Sequence, residues 1–471
     1  MTESDSGRVA VVEDVLEQLV NQFTDPLCFL RELIQNAIDA GSTKIDVSCT
    51  FEDESPAAEP GGEPAPGSAA AGSAGQLGTA IIRVVDFGEG MDGQIIDTRL
   101  TRLFSSDKEG DLTKIGRFGI GFVSVFAMQP DAVCVDTGRY GESWRLVFAP
   151  DRTFTRIRLS EPVEGTTIRL FKAMLRSQFE PLERRVRRAL LRYCPHVEVA
   201  LRYQGELLST PLVLGSLDAQ VKIAASAQGA TMVVGFTSPA MPDRATLYGR
   251  GLTLLVRQSE IPGVSFKLNS PALVPTPGRD GVMQSEHSHA LLTAVQALAR
   301  GPLIEELSQR LEAALQEQPD ELGKEVLGLQ HCLAGLLRRG VALPDSCLQR
   351  SVARSPHGEL YTLRACQQAA REGRLYSVAV PSPLSAAVGA TGQIALEQGQ
   401  GELLAALCGT EPPRLERELM LPLPLSKKET DETQWAGGEA LRTAVMALLR
   451  AAEAPVGTVE LGSLGYPGSG A

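Results

Sequence analysis

Apolar positions recur with two periods along the first 200 residues, and each period predicts a different element. Residues 25–40 read as a helix whose apolar positions share one side: Leu27, Leu30, Leu33, Ile34, Ala37 and Ile38. Residues 44–51 instead alternate apolar and polar side chains, which is typical of a half-buried β-strand. Gly41 lies between the two and is expected to end the helix, while Pro26 suits its first turn.

The same periods predict a sheet that helices cover on one face, in a first domain that ends near residue 205. A first helix is expected at residues 8–23, and further strands near 79–86, 132–136, 143–149, 154–159 and 166–171. Residues 53–78 are rich in Pro, Ala, Gly, Ser and Glu. Such a composition buries too little apolar surface to order itself, so we expect a disordered insertion with no catalytic part.

Downstream patterns predict two further domains and a tail. Residues 206–315 combine mixed strands with a helix at 285–300 and are expected to form a middle domain. Residues 316–456 carry helical patterns near 324–339, 360–372, 385–396 and 438–452 and a strand signal near 375–379, which indicate a C-terminal helical α/β region. Residues 457–471 are rich in Gly, Ser and Pro and are expected to be flexible.

Composition narrows the class of protein. A chain of 471 residues that is 43% hydrophobic has room for about three packed domains. It lacks an apolar run of the roughly 18 residues that a membrane span needs and a signal-peptide pattern, so we expect a cytoplasmic protein without membrane contact. The net charge of −12 disfavours a nucleic-acid partner, because nucleic-acid binders usually present a basic surface. The basic helix at 183–192 is either a surface helix paired with acidic neighbours or a docking patch.

The polar stripe of the helix at 25–40 carries the first candidate chemistry. Glu32, Asn36 and Asp39 fall within about a third of the circumference at about 100° per residue. A carboxylate and an amide one helical turn apart can act as a general base and a metal ligand on the same phosphate group. An ordinary solvated helix face is the alternative.

Glycine-rich segments supply the second set of candidates. The strand at 79–86 ends in Asp86 and then Gly88, Gly90 and Met91, where a carboxylate could accept a hydrogen bond from an exocyclic amine while the glycines admit a flat base. A plain turn is the alternative. Gly116, Gly119, Gly121 and Phe122 form a loop that leads into a helical run, and free backbone amides at such a loop bind anions such as phosphate.

Thr166 follows Gly165 at the mouth of another strand, where its hydroxyl can hydrogen-bond a base or a bound water. In this order the four segments resemble the GHKL ATPase superfamily, which includes DNA gyrase, histidine kinases, heat-shock chaperones and the mismatch-repair protein MutL. Two stretches are most similar to the ninety-kilodalton heat-shock chaperones of the HtpG type: Phe29-Leu-Arg-Glu-Leu-Ile-Gln-Asn-Ala and Gly116-Arg-Phe-Gly-Ile-Gly-Phe-Val-Ser-Val-Phe. The stretch Asp39-Ala-Gly-Ser-Thr-Lys-Ile-Asp-Val is instead similar to MutL.

The resemblance implies a fold and a set of roles. It implies an α/β (α+β) chain with a Bergerat-type α/β sandwich at the N-terminus, a middle domain like ribosomal protein S5 domain 2 and a small α/β C-terminal region. Glu32 would activate the attacking water, and Asn36 would hold the magnesium ion. Asp39 would support the water network at the base, and Asp86 would bind the adenine amine with help from Thr166. Gly116, Gly119, Gly121 and Phe122 would surround the phosphates.

A further catalytic residue is implied in the middle domain. The stretch Gly278-Arg279-Asp280 is similar to a chaperone loop that offers an arginine to the γ-phosphate, although a surface turn is the alternative. The resemblance therefore implies a Mg²⁺-dependent ATPase and molecular chaperone, with ATP and Mg²⁺ as ligands and with unfolded client proteins and a second copy of the chain as partners. The alternatives are a MutL-like DNA-linked clamp and a nucleotide switch with little hydrolysis.

Overall fold

The computed structural model describes residues 25–53, 75–100, 119–216, 219–238, 241–276, 281–317, 322–379, 385, 392–415 and 443. Gly116 and Arg279 lie outside these residues, as do the predicted helix at 8–23 and most of both the predicted insertion and the predicted helix at 438–452. Internal contacts divide the chain into two compact units, Met1–Ala299 and Arg300–Ala471. Within the described part of the chain, no helix has both the length and the apolar character that crossing a membrane requires.

The first unit contains an eight-stranded mixed sheet. Its strands are β1 (Lys44–Asp53), β2 (Leu77–Asp86), β3 (Ala132–Arg139), β4 (Glu142–Phe148), β5 (Phe154–Arg158), β6 (Gly165–Leu175), β7 (Ala200–Tyr203) and β8 (Glu206–Leu207). The order is β5-β4-β3-β6-β2-β1-β7-β8, and every pair is antiparallel except β1 with β7. The strands predicted between residues 44 and 171 are confirmed, with ends shifted by a few residues.

Helices cover one face of this sheet. They are α1 (Phe29–Asp39), α2 (Gly93–Ile95), a π-helical turn (Ile96–Leu100), α3 (Gly119–Val123), a 3₁₀ turn (Ser124–Met128) and α4 (Arg176–Tyr193). The apolar side of α1 packs on alternate strand positions, so that Phe29, Leu30 and Ile34 are fully buried with Ile45 and Ile82. A helix layer on a large mixed sheet confirms the predicted α/β class for this region.

A second, five-stranded sheet follows in the same unit. It consists of β9 (Ala219–Ala227), β10 (Ala230–Thr237), β11 (Arg244–Gly249), β12 (Leu252–Gln258) and β13 (Val264–Asn269), in the order β12-β11-β13-β10-β9. Only β11 and β13 are parallel. Helix α5 (Glu286–Arg300) comes next and confirms the helix predicted there. The likeness of this region to ribosomal protein S5 and the predicted domain boundaries stay predictions.

The second unit is a smaller assembly of helices and two-stranded sheets. Its elements are α6 (Pro302–Glu317), α7 (Lys324–Arg338), α8 (Asp345–Leu348), β14 (Ser351–Arg354), β15 (Leu360–Thr362), α9 (Leu363–Arg371), β16 (Leu375–Val378), β17 (Ile394–Glu397) and α10 (Gly401–Cys408). The predicted strand near 375–379 is confirmed. The predicted helix at 385–396 is wrong at its end, because residues 394–397 form a strand parallel to β16. A short, fully buried apolar run carries no periodicity that separates a strand from a helix.

Candidate functional site

Helix α1 places Glu32 beside the glycine segment at α3. Glu32 is 6% exposed, and a Cβ atom added to Gly121 would lie 3.1 Å from its Oε2 atom. The glutamate carboxylate therefore lies directly against the backbone of the segment predicted to hold phosphates. Asn36 lies one turn further along α1 and is partly buried, and its side chain forms no hydrogen bond with a described residue. Its amide oxygen is therefore available to coordinate a metal ion.

Local contacts fix both ends of α1. The helix begins at Phe29, not at residue 25 as predicted, because residues 25–28 form a turn that Asp25 stabilises. The Asp25 carboxylate accepts hydrogen bonds from the Leu27 N–H at 3.0 Å and from the Tyr193 hydroxyl at 2.9 Å. Gly41 has a φ of 76° and donates to the Ile38 carbonyl at 3.0 Å, which confirms that it ends the helix. These anchors hold the polar stripe in place.

Asp86 is the last residue of β2 and faces the helix layer, since it continues the alternation of the core residues Ala80, Ile82 and Val84. Burial raises the pKa of its carboxyl group, while hydrogen bonds from the backbone N–H groups of Gly88 and Thr166 lower it. The Gly88 N–H donates to Asp86 Oδ1 at 2.9 Å. A half-buried carboxylate in this position is a strong hydrogen-bond acceptor for a donor on a ligand.

The two glycines after Asp86 are required by close backbone contacts. Gly90 has a φ of 64°, and a Cβ atom there would lie 2.1 Å from the carbonyl oxygen of Gly138. A Cβ atom on Gly88 would lie 2.7 Å from the Ala40 carbonyl oxygen, which also accepts a hydrogen bond from the Glu89 N–H at 2.9 Å. The loop of residues 86–91, called the Asp86 loop, therefore touches the C-terminal end of α1, and the two predicted motifs lie side by side.

Thr137 on β3 belongs to this site, although the sequence patterns did not indicate it. Its fully buried hydroxyl accepts a hydrogen bond from the Met91 N–H at 2.9 Å and shares one with the Thr166 hydroxyl at 3.0 Å. It also donates to the Gly165 carbonyl at 3.2 Å. A buried threonine in a strand is ordinary in sequence, and only the pairing of β3 with β6 brings it to Thr166.

Other predicted residues occupy less direct positions. The Phe122 ring is 2% exposed and packs in the core, 5.3 Å from the Phe148 ring centroid, so only its backbone could reach a phosphate. Gly119 begins α3. Met91 packs against the core from its edge. Asp39 is exposed at the end of α1 and forms an ion pair with Arg250 of the second sheet at 2.5 Å.

The basic helix α4 fits its predicted surface role in part. Arg184 pairs with Glu180, and Arg187 pairs with Glu206 at 2.9 Å. Three further arginines on the helix are exposed and have no carboxylate partner among the described residues: Arg185, Arg188 and Arg192. They lie at spacings of three and four residues and share one face. The helix therefore combines paired arginines with an unpaired basic stripe.

Comparison with known families agrees with this geometry. Residues 28–172 match the model of a family described as histidine kinase-, DNA gyrase B- and HSP90-like ATPases. The matched segment begins just before α1 and ends in β6, and it contains the Glu32, Asp86, Gly121 and Thr166 positions. A comparison with curated proteins found no match. The family match supports a GHKL-type ATPase domain in this part of the chain, and with it binding and hydrolysis of ATP.

Proposed function

We propose that this protein is a Mg²⁺-dependent ATPase whose nucleotide site lies between α1, the Asp86 loop and α3. The observation that carries the proposal is the position of the Glu32 carboxylate against Gly121, inside the segment that matches the ATPase family. A carboxylate beside a phosphate-binding backbone can take a proton from a water that attacks the γ-phosphate. No second acidic side chain on α1 is as deeply buried.

The residues around Glu32 suit a magnesium–nucleotide complex. Asn36 carries an amide oxygen with no described partner, and Mg²⁺ commonly takes one or two protein oxygens and fills its other positions with phosphates and water. When bound, the ion would offset the negative charge of the phosphates. Asp86 would accept a hydrogen bond from the adenine amine, with the Thr166 hydroxyl beside it.

Two substitutions test this assignment by steady-state phosphate release and by calorimetric titration with ADP and a nonhydrolysable ATP analogue. We expect Glu32→Ala to abolish hydrolysis and keep binding, because the carboxylate serves the attacking water. We expect Asp86→Asn to abolish binding, because asparagine replaces one carboxylate oxygen by an NH₂ group, and that group repels the N–H donor of the adenine amine. Glu180→Ala on α4 is a matched control, since that carboxylate is exposed and its ion-pair partner among the described residues is Arg184. Unchanged turnover in Glu32→Ala would overturn the proposal.

The wider role that we propose is a cytoplasmic molecular chaperone of the HtpG type. ATP binding would close the lid formed by residues 92–114, and Arg279 would approach the γ-phosphate from the middle domain. Unfolded client proteins and a second copy of the chain would be its partners. Suppression of the aggregation of a heat-denatured test enzyme, with and without ATP, measures the chaperone activity. Light scattering with a nonhydrolysable ATP analogue measures dimer formation.

A second candidate is a MutL-like clamp that acts on DNA. The unpaired stripe formed by Arg185, Arg188 and Arg192 favours it, since guanidinium groups bind backbone phosphates, whereas the net charge of −12 disfavours it. A gel-shift series on duplex DNA at rising salt separates the two, because a DNA clamp would bind with a steep salt dependence. A nucleotide switch would bind ATP with turnover close to the uncatalysed rate.

A further inference from the structure

Arg250 links the second sheet to the polar stripe of α1. It lies at the tip of the β11–β12 hairpin, where Arg250 has a φ of 52° and Gly251 a φ of 80°. Its Nη1 atom is 2.5 Å from Oδ1 of Asp39, a residue 211 positions earlier in the chain. Asp39 also accepts a hydrogen bond from the Gln35 amide at 3.1 Å, but that bond stays within α1. Among the described residues, the Arg250 guanidinium is therefore the hydrogen-bond partner of the Asp39 carboxylate that lies outside α1.

The hairpin that carries Arg250 is held tightly against the end of α4 and the loop that follows it. A Cβ atom on Gly251 would lie 2.0 Å from the carbonyl oxygen of His196, and the His196 N–H donates to the Gly251 carbonyl at 3.3 Å. The Gly251 N–H in turn donates to Asn269 Oδ1 at 2.9 Å. The Thr253 hydroxyl donates to the carbonyl of Arg192, at the end of α4, at 2.7 Å. These contacts therefore fix the backbone of the hairpin tip from which the Arg250 side chain extends.

The end of α1 is also where the two halves of the nucleotide site meet. Asp39 lies three residues after Asn36 and seven after Glu32, on the same stripe. The next residue, Ala40, accepts the hydrogen bond from Glu89 that connects α1 to the Asp86 loop. A displacement of the last turn of α1 would therefore move both the predicted metal ligand Asn36 and the predicted adenine-binding Asp86 loop.

We infer that Arg250 is a positioning residue: by pairing with Asp39, the second sheet holds the last turn of α1 in the geometry that binds a magnesium–nucleotide complex. The inference rests on the proposed ATPase function and adds a contact by which movement of the second sheet would alter the site. The side chains of Arg250 and Asp39 are 49% and 26% exposed. Solvent weakens such a pair, so its removal should change affinity about two- to fivefold and leave the fold intact.

The test compares Arg250→Ala with Arg250→Lys and with Arg257→Ala in the full-length protein. Arg257 is a matched control, because it lies on β12 of the same hairpin and pairs with Glu260 at 2.8 Å, away from α1. The measurement is the gain in ADP affinity that Mg²⁺ produces, obtained by calorimetry with and without EDTA. KM and kcat for ATP are measured alongside.

We expect Arg250→Ala to reduce the Mg²⁺-dependent gain about two- to fivefold and to raise KM, with the difference shrinking at high salt. Arg250→Lys should recover most of the loss, and Arg257→Ala should match the wild type. If the wild type hydrolyses ATP and Arg250→Ala gives the same gain and KM as Arg257→Ala, the inference is wrong and the proposed function stands. A wild type that binds no nucleotide would overturn both.

Discussion

The substitution Thr137→Val probes the network that joins the Asp86 loop to β6. Valine has nearly the same shape as threonine, so the change removes a hydroxyl without leaving a cavity. The Met91 N–H loses its acceptor at 2.9 Å, and the Gly165 carbonyl loses a donor at 3.2 Å. The Thr166 hydroxyl loses its partner at 3.0 Å. A buried polar group without a partner costs about 1–3 kcal/mol.

Two groups, the Gly165 carbonyl and the Thr166 hydroxyl, lose a partner without ready access to water, so the combined cost is about 2–6 kcal/mol and we expect its lower end. The Met91 backbone is near the surface and can recover a water molecule, whereas Thr137 itself is fully buried. We therefore expect the free energy of unfolding to fall by about 2 kcal/mol. Met91 and Thr166 lose their fixed orientation, so ATP affinity should also fall. If restoring that orientation on binding costs ~1.4 kcal/mol, the affinity falls about tenfold.

Two assays report on this change. Urea unfolding followed by tryptophan fluorescence measures stability, and hydrogen exchange at the Met91 amide measures whether its protecting bond is lost. Thr155→Val on β5 is the matched control, since its side chain is exposed and the change should stay within about 0.5 kcal/mol. The reasoning is refuted if Thr137→Val has the unfolding midpoint, the Met91 exchange rate and the ATP affinity of Thr155→Val.

Three further predictions concern single residues. Gly90→Ala should destabilise the protein by roughly 2 kcal/mol or more in urea unfolding, because a left-handed φ and a contact of 2.1 Å with the Gly138 carbonyl both oppose a Cβ atom. Asp86→Asn should raise the unfolding midpoint at neutral pH while abolishing ATP binding. Burial raises the pKa of Asp86, so its ionised form opposes folding above that pKa, and a lower midpoint would contradict this account. His196 has a pKa lowered by burial and by Lys267, so the stability that it contributes is present above pH 6.5 and is lost as the pH falls through the folded value. His196→Asn should flatten this acid loss in thermal melts between pH 7 and 5, and an unchanged slope would show that another group titrates.

Local patterns predicted the elements that carry most of the site. The stripe of Glu32 and Asn36, the strand that ends at Asp86 and the glycine that ends α1 all follow from the identity and spacing of neighbouring residues. Helical and strand periods record which side of an element is buried, so they also indicated which polar residues share a face. The same reasoning went wrong at residues 394–397, where a short buried run has no period.

Only the tertiary structure decided which of these elements meet. Thr137 joins Thr166 because β3 pairs with β6, and Arg250 reaches Asp39 because the β11–β12 hairpin is held against the end of α4 and the loop that follows it. No local sequence pattern predicts either contact, since a threonine in a strand and an arginine in a hairpin are common. The sequence by itself determined which residues could perform the chemistry, because that depends on side-chain type and local periodicity. The three-dimensional arrangement decided which of them act together, because contacts between distant segments depend on strand order and packing.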